Sequence, residues 1–201
     1  EHPMKLRYSA TSPYVRKVTM TIIECGLEDK VERVVTNAWD AETDLPADNP
    51  LGKVPALTTD DGAVLFDSPV ICEYLDSLHD GAKLFPAAGP ARWAALRLQA
   101  LGDGLNDASV ARRLEEMRPD GERSQKWIDR QTAAMGRTLD VLEGEVDGFA
   151  ERFDIGALAQ MSALGYLDLR FTEDDWRAAR PKLAAWFDAA SKRPSYQATA
   201  G

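Results

Sequence analysis

The stretch that decides the fold is Ser9-Ala10-Thr11-Ser12-Pro13-Tyr14-Val15-Arg16-Lys17, because it links a short strand to an amphipathic helix. Before it, Leu6 and Tyr8 alternate with charged residues, which is typical of a strand. After its turn, apolar side chains recur at helical spacing, at Val15, Val18 and Ile22. Ser12 is a favoured N-cap residue, and Pro13 suits the first helical position, where its missing N–H is not needed. We therefore predict that a helix begins at Ser12, with free N–H groups at its positive dipole end.

The same signal occurs a second time, in Asp67-Ser68-Pro69. Ser68 is predicted to be the N-cap and Pro69 the first residue of a helix with apolar residues at helical spacing. The elements between the two signals are a strand over residues 31–35, a loop with room for one helical turn over 36–49, and a hairpin around Asp61-Gly62 whose first strand follows Pro55. The predicted order is βαβ-ββα, which brings two positive helix ends to one edge of a small sheet.

A second, all-helical domain is predicted after a break rich in glycine and proline. The predicted boundaries are residues 4–79 for the α/β domain, 80–89 for the linker and 90–201 for the helical bundle. Residues 1–3, ahead of Met4, are expected to be a remnant of cloning.

Within the helical domain, Asp154 is predicted to cap a mostly apolar helix at the centre of the bundle. Residues 172–175 resemble a capping box, and Pro181 can begin a last helix that ends before Pro194. Three arginines lie close to two glutamates in this domain: Arg112, Arg113 and Arg118 beside Glu115 and Glu116. Ion pairs on the helix surface are favoured there over a pocket for an acidic co-substrate.

Composition excludes several classes of function. The chain has 201 residues and a net charge of −9, so no field would attract nucleic acid or an anionic membrane. The sequence has no apolar run long enough to span a membrane and no signal-peptide pattern at its start, which predicts a cytoplasmic location. Cys25 and Cys72 lack metal-ligand spacing and are predicted to be buried thiols. With only two histidines, His2 and His79, neither a metal centre nor a Ser-His-Asp triad is expected.

Four motifs in this order resemble those of the cytosolic glutathione transferases, in a bacterial, serine-type form with a Thr-Ser-Pro-Tyr turn. They are residues 11–17 (TSPYVRK), 49–57 (NPLGKVPAL), 66–75 (FDSPVICEYL) and 163–168 (ALGYLD). The resemblance implies a thioredoxin-like α/β domain that binds glutathione and a helical-bundle domain that supplies most of the second substrate's pocket. It also implies a homodimer, a role in detoxification, and glutathione as a substrate with no metal.

The resemblance places Ser12 at the thiol of glutathione. A hydroxyl donor beside a helix N-terminus stabilises a thiolate over a thiol, and the thiolate is the nucleophile. Ser12 would donate a hydrogen bond to the sulfur, with Ser9 and Thr11 as rival donors; the alternative is an ordinary helix cap. The corresponding turn of dithiol relatives reads Cys-Pro-Tyr-Cys, whereas residues 12–15 here are Ser-Pro-Tyr-Val. A dithiol reductase and mixed-disulfide chemistry are therefore not expected.

The resemblance also assigns the rest of the glutathione site. Ser68 would bind the γ-glutamyl carboxylate and Asp67 the γ-glutamyl ammonium, unless both merely cap their helix. Pro55 matches the family's cis-proline, which lets the backbone of Val54 pair with the cysteinyl part of glutathione. Lys53 would bind the glycyl carboxylate, with a solvated loop lysine as the alternative.

The function implied is a glutathione transferase that directs the thiolate at a small electrophilic or peroxide co-substrate. Two alternatives stay open from the sequence. One is a non-catalytic protein-interaction module similar to stringent starvation protein A, and the other is a glutathione-dependent isomerase similar to the zeta class.

Overall fold

The computed structural model describes residues 3–200, which form two compact units. Unit 1 contains residues 3–86 and 194–200, and unit 2 contains residues 87–193. Of the expected cloning remnant, Glu1 and His2 lie outside the described residues.

Unit 1 is built on a four-stranded mixed sheet. Its strands are β1 (Met4–Tyr8), β2 (Val31–Val35), β3 (Ala56–Thr58) and β4 (Val64–Leu65), in the spatial order β2-β1-β3-β4. The pairing of β1 with β2 is parallel, with Leu6 opposite Arg33, whereas β3 is antiparallel to both of its neighbours. The parallel pair needs a crossover, which the first helix supplies.

Residues 3–200 contain eight α-helices. They are α1 (Pro13–Glu24), α2 (Leu45–Asp48), α3 (Ser68–Ser77), α4 (Gly89–Glu116), α5 (Gln125–Phe149), α6 (Ile155–Arg170), α7 (Pro181–Ala190) and α8 (Pro194–Gln197). The predicted βαβ-ββα order, followed by a helical domain, is confirmed, and α2 is the single helical turn within the loop after β2. None of the helices in the described part of the chain is long and apolar enough to cross a membrane.

The two Ser-Pro signals differ in how they begin their helices. Ser12 is the N-cap of α1, as predicted, and its Oγ accepts a hydrogen bond from the Val15 N–H at 3.2 Å. The prediction that Ser68 is the N-cap of α3 is wrong by one residue. Asp67 is the N-cap, because its carbonyl accepts the bond from the Ile71 N–H at 3.1 Å, and Ser68 is the first helical residue.

Unit 2 is a bundle of α4 to α7, in which α6 packs against α4 and α7, and α5 packs against the same two helices. The helix α6 is buried along nearly its whole length, over residues 155–167, and Asp154 caps it by accepting a bond from the Ala157 N–H at 3.1 Å, as predicted. Glycines allow α6 and α4 to lie close together. A Cβ at Gly156 would lie 2.7 Å from the Cβ of Leu98, and one at Gly102 would lie 2.9 Å from the Ala159 carbonyl carbon.

The predicted capping box at residues 172–175 does not begin a helix, since residues 171–180 form turns. Its acidic residues are used elsewhere. Asp174 accepts a bond from the Arg112 guanidinium at 2.6 Å, and Asp175 accepts one from the Ala178 N–H at 3.1 Å. Arg112 also pairs with Glu116 at 2.8 Å, so the ion pairs predicted for this arginine are present.

The last described residues return to unit 1. The sequence prediction assigned them to the helical domain, whereas α8 lies against α1. The guanidinium of Arg16 lies over the ring of Tyr196, 3.9 Å from its centre, and the Ser195 Oγ donates to a carboxylate oxygen of Glu24 at 2.6 Å. These partners are about 180 positions apart in the chain, and a periodic pattern carries no information at that range.

Candidate functional site

Strand register brings the predicted site residues to one end of the sheet. Arg7, next to the end of β1, is opposite Ala56, the first residue of β3, and Leu57 is opposite Leu65, the last residue of β4. The strands β1 and β4 therefore end where β3 begins. Three segments meet at this end of the sheet: the turn at residues 9–12 after β1, residues 53–55 before β3, and residues 66–68 after β4.

Ser12 is half-buried at the start of α1. One lone pair of its Oγ accepts the bond from the Val15 N–H, and its O–H has no acceptor among residues 3–200. A hydroxyl has one donor and two acceptor positions, so capping the helix leaves the donor available to a ligand. Ser9 is half-buried and Thr11 is exposed in the same turn, and both remain possible donors.

A buried asparagine, Asn49, to which the sequence motifs assign no role, shapes the segment before β3. The Asn49 side chain donates to the Lys53 carbonyl at 2.8 Å and accepts a bond from the Leu51 N–H at 3.0 Å. The Val54–Pro55 peptide bond is cis, the isomer that the resemblance implies. Pro55 is buried, whereas the Lys53 side chain is exposed to solvent. An Asn-Pro pair next to a loop is a turn signal, but it does not show which backbone groups the amide will hold.

The start of α3 presents backbone N–H groups to this end of the sheet. Ser68 is buried and Asp67 is exposed, and the Asp67 side chain makes no capping bond to the first turn of α3. The Phe66–Asp67 peptide bond is also cis. The N-terminus of a helix that its own N-cap side chain leaves uncapped is suited to binding a carboxylate.

Arg16 is a second residue to which no sequence motif assigns a role. It lies one turn after Ser12, and the Arg16 N–H bonds to the Ser12 carbonyl at 3.0 Å. Its guanidinium donates to the Thr199 hydroxyl at 3.2 Å and the Tyr196 carbonyl at 3.1 Å, and it has no carboxylate partner among the described residues. Burial lowers the pKa of this guanidinium from its ordinary value. No local sequence signal could have found this contact.

Three potential metal ligands come together elsewhere in unit 1. Donor atoms of Cys25, Asp76 and His79 lie within 4.8 Å of one another. Asp76 already accepts bonds from the backbone N–H groups of Leu84 and Phe85, both at 2.9 Å. The carboxylate therefore holds the chain that follows α3.

The other two groups of this cluster, the His79 ring and the Cys25 thiol, also have hydrogen-bond partners within unit 1. The His79 Nδ1 accepts a bond from the Gly81 N–H at 3.1 Å, so the proton is on Nε2, which donates to Asp76 at 2.9 Å. Burial raises the pKa of the Cys25 thiol to about 12, and its Sγ donates to an oxygen of Asp76 at 4.0 Å. A metal-bound histidine donates from its second nitrogen, whereas this one accepts, so the donor set does not fit a metal. Both Cys25 and Cys72 are buried free thiols, as predicted.

Two family models match the sequence. Residues 11–78 match the glutathione S-transferase N-terminal domain, and residues 125–189 match the glutathione S-transferase C-terminal domain. Among curated proteins, the uncharacterized GST-like protein YibF of Escherichia coli (strain K12) is 34% identical over 199 residues, covering 98% of each chain.

Solved structures give the same result. A glutathione transferase family member from Pseudomonas fluorescens Pf-5, with bound glutathione, is 44% identical, with a TM-score of 0.92 and 98% of each chain covered. A glutathione S-transferase from Methylobacillus flagellatus KT, with glutathione bound, is 38% identical, with a TM-score of 0.93 and 98% of each chain covered. These similarities extend over both units. The chain therefore belongs to the glutathione S-transferase family.

Proposed function

We propose that this protein is a glutathione transferase in which Ser12 stabilises the thiolate of glutathione for attack on a small electrophile or peroxide. The observation that carries the proposal is the meeting of three segments at one end of the sheet: the Ser12 turn, Val54 with its cis-proline neighbour, and the start of α3. Two similar solved structures contain bound glutathione, which supports glutathione as the ligand of this protein.

Ser12 has the properties that the chemistry requires. Its O–H is available while its oxygen caps α1, and the positive end of that helix favours a negative charge on the ligand. A hydrogen bond to a charged group contributes about 1.5–3 kcal/mol, which corresponds to about one to two units in the pKa of the bound thiol. No histidine is needed, because the reactive sulfur belongs to the substrate and Ser12 acts only as a donor.

The remaining contacts that we propose for glutathione involve residues at the same end of the sheet. The γ-glutamyl carboxylate would accept bonds from Ser68 and the N–H groups of α3, and Asp67 would face the ammonium. The backbone of Val54 would pair with the cysteinyl part of glutathione, as an added strand pairs with a sheet edge. The exposed Lys53 would reach the glycyl carboxylate as a point charge.

The test is the glutathione-dependent turnover of Ser12→Ala with an activated aryl chloride and with an organic hydroperoxide. We expect kcat/KM at pH 7 to fall about 10- to 100-fold, because the bound thiol loses its donor. The pH at which the bound thiol ionises, measured from thiolate absorbance, should rise by about one to two units.

Ser9→Ala and Thr11→Ala are matched controls in the same turn. Each should leave the thiol pKa unchanged if Ser12 is the donor, and a shift confined to one of them would move the role to that residue. Calorimetry with glutathione separates enzyme from non-catalytic module, since the absence of measurable affinity would contradict the proposal as a whole. The homodimer, the cytoplasmic location and the role in detoxification stay predictions of the resemblance.

A further inference from the structure

Unit 2 contains a cavity whose lining residues all belong to this unit. Its volume is about 180 Å³, and residues of α4, α5, α6 and the turns before α7 surround it. The apolar part of its wall consists of Met135, Leu139, Leu167, Phe171 and Trp176, and all five side chains are buried. An enclosed apolar cavity of about 150 Å³ can bind benzene. This cavity has a similar volume, with apolar side chains on one part of its wall and polar side chains on the part that is open to solvent, so its size suits one aromatic ring with a short substituent.

The positively charged side chains around the cavity already form ion pairs with carboxylates. The Arg112 guanidinium bonds to Glu116 and Asp174 and lies over the Phe171 ring, 4.6 Å from its centre. Arg180 pairs with Asp140 at 2.7 Å. Both guanidinium groups are thus already neutralised by carboxylates of this protein, which disfavours an anionic ligand.

The surplus charge at the cavity is negative. Asp175 lines it and is exposed, and it makes no ion pair with any residue in the described part of the chain. Its Oδ1 accepts one bond from the Ala178 N–H at 3.1 Å, which leaves the second carboxylate oxygen for another donor. A cationic group on the ligand would meet this carboxylate at the solvent side of the cavity.

Gly136 keeps the cavity open on the side of α5. A Cβ built at this position has no neighbouring atom within 4 Å, although Gly136 lines the cavity. Gly136 is thus a position at the cavity wall where a larger side chain can be introduced without meeting a neighbouring atom at its Cβ. Gly144 lies further along the same helix, is exposed, and also has open space around its Cβ position. It provides a matched control for substitution.

We propose that this cavity of unit 2 is a binding site for a small aromatic ring that carries a protonated amine. The ring would lie against Phe171 and Trp176, and the ammonium would pair with Asp175. The proposal rests only on groups of unit 2 and does not depend on the proposed function.

The probe for the test is 2-phenylethylamine, compared with 2-phenylethanol and 3-phenylpropanoate, which have the same ring but no charge or a negative charge. Binding to the full chain is measured by calorimetry and by ligand-observed nuclear magnetic resonance. We expect the amine to bind about threefold tighter than the alcohol, as an exposed charge pair permits, and the carboxylate to bind weakest. Asp175→Asn should remove the advantage of the amine over the alcohol.

Gly136→Leu should weaken binding of 2-phenylethylamine by about tenfold or more, because the proposal requires that a bulky side chain at this lining position compete with the ligand for space. Gly144→Leu should bind like the unchanged protein, and glutathione-dependent turnover should be the same in both variants. Failure of the amine to bind at about 10 mM, equal binding by the two leucine variants, or tighter binding of the carboxylate would each overturn the proposal. Asp175→Asn is a surface change that keeps the test valid if Gly136→Leu does not fold.

Discussion

Asp76 is a buried carboxylate with a structural role. It accepts bonds from the N–H groups of Leu84 and Phe85 and from His79, and it is 3% exposed. Asp76→Ala would leave these donors unpaired, so we expect the free energy of unfolding to fall by about 3 kcal/mol. Urea unfolding measures this change.

Asp80→Ala is the control for that substitution. Asp80 is exposed and close in sequence, and its removal should change the free energy of unfolding by less than about 0.5 kcal/mol. Equal effects of the two substitutions would show that Asp76 does not hold the chain after α3.

Cys25 gives a prediction about alkaline pH. Burial raises the pKa of its thiol from 9.0 to about 12, so the folded protein keeps a proton that the unfolded chain loses above pH 9. Stability from this group is complete below pH 9 and is lost as the pH rises towards 12. The difference in free energy of unfolding between the protein and Cys25→Ser should therefore shrink over this interval. A pH-independent difference would contradict the shift.

At the scale of elements, the contact between α4 and α6 depends on glycine. Gly156→Ala would place a methyl group 2.7 Å from the Leu98 Cβ, and overpacking of this kind costs about 1–3 kcal/mol. Because alanine favours a helix by about 1 kcal/mol, a net loss of stability means that the close contact dominates. Gly144→Ala, on the open side of α5, should stabilise by about 0.5–1 kcal/mol. Urea unfolding of both variants should give shifts of opposite sign.

Elements with a strong local signal could be predicted from the sequence. The start of α1 was predictable because Ser12 and Pro13 satisfy the needs of a helix end by themselves. At α3 the same signal predicted the helix but not its first residue, since the N-cap depends on which carbonyl Ile71 reaches. Residues 172–175 carry a local capping signal but lie in turns, and Asp174 pairs with Arg112, 62 positions away in the chain.

Some residues of the candidate site could be predicted from the sequence, and others could not. Local sequence motifs contain four of the predicted residues, Ser12, Val54, Asp67 and Ser68. The structure brings the segments with these residues to one end of the sheet. The hydrogen bonds by which the Asn49 and Arg16 side chains fix other segments of unit 1 could not be predicted from the sequence. Asn49 acts on backbone groups of a loop, and Arg16 meets residues that follow the whole of unit 2.

At the scale of the whole molecule, α8 stabilises unit 1 from far along the chain. Tyr196→Leu would remove the ring beneath the Arg16 guanidinium, and a partly buried contact of this kind is worth about 1–2 kcal/mol. We expect hydrogen exchange at the amides of α1 to become faster, while that of α6 stays unchanged. Lys192→Ala, an exposed neighbour in unit 2, should leave both rates as they are. Unchanged exchange in α1 of Tyr196→Leu would show that the contact carries no stability.

The return of residues 194–200 to unit 1 also sets an order of events during biosynthesis. The residues of α1 leave the ribosome early, but Tyr196 and Thr199 are translated only after all of unit 2. Until then, Arg16 has none of these partners, and the helix that begins at Ser12 lacks its contact with α8. A nascent chain halted within unit 2 would thus contain every residue of the candidate glutathione site, with α1 still incompletely held.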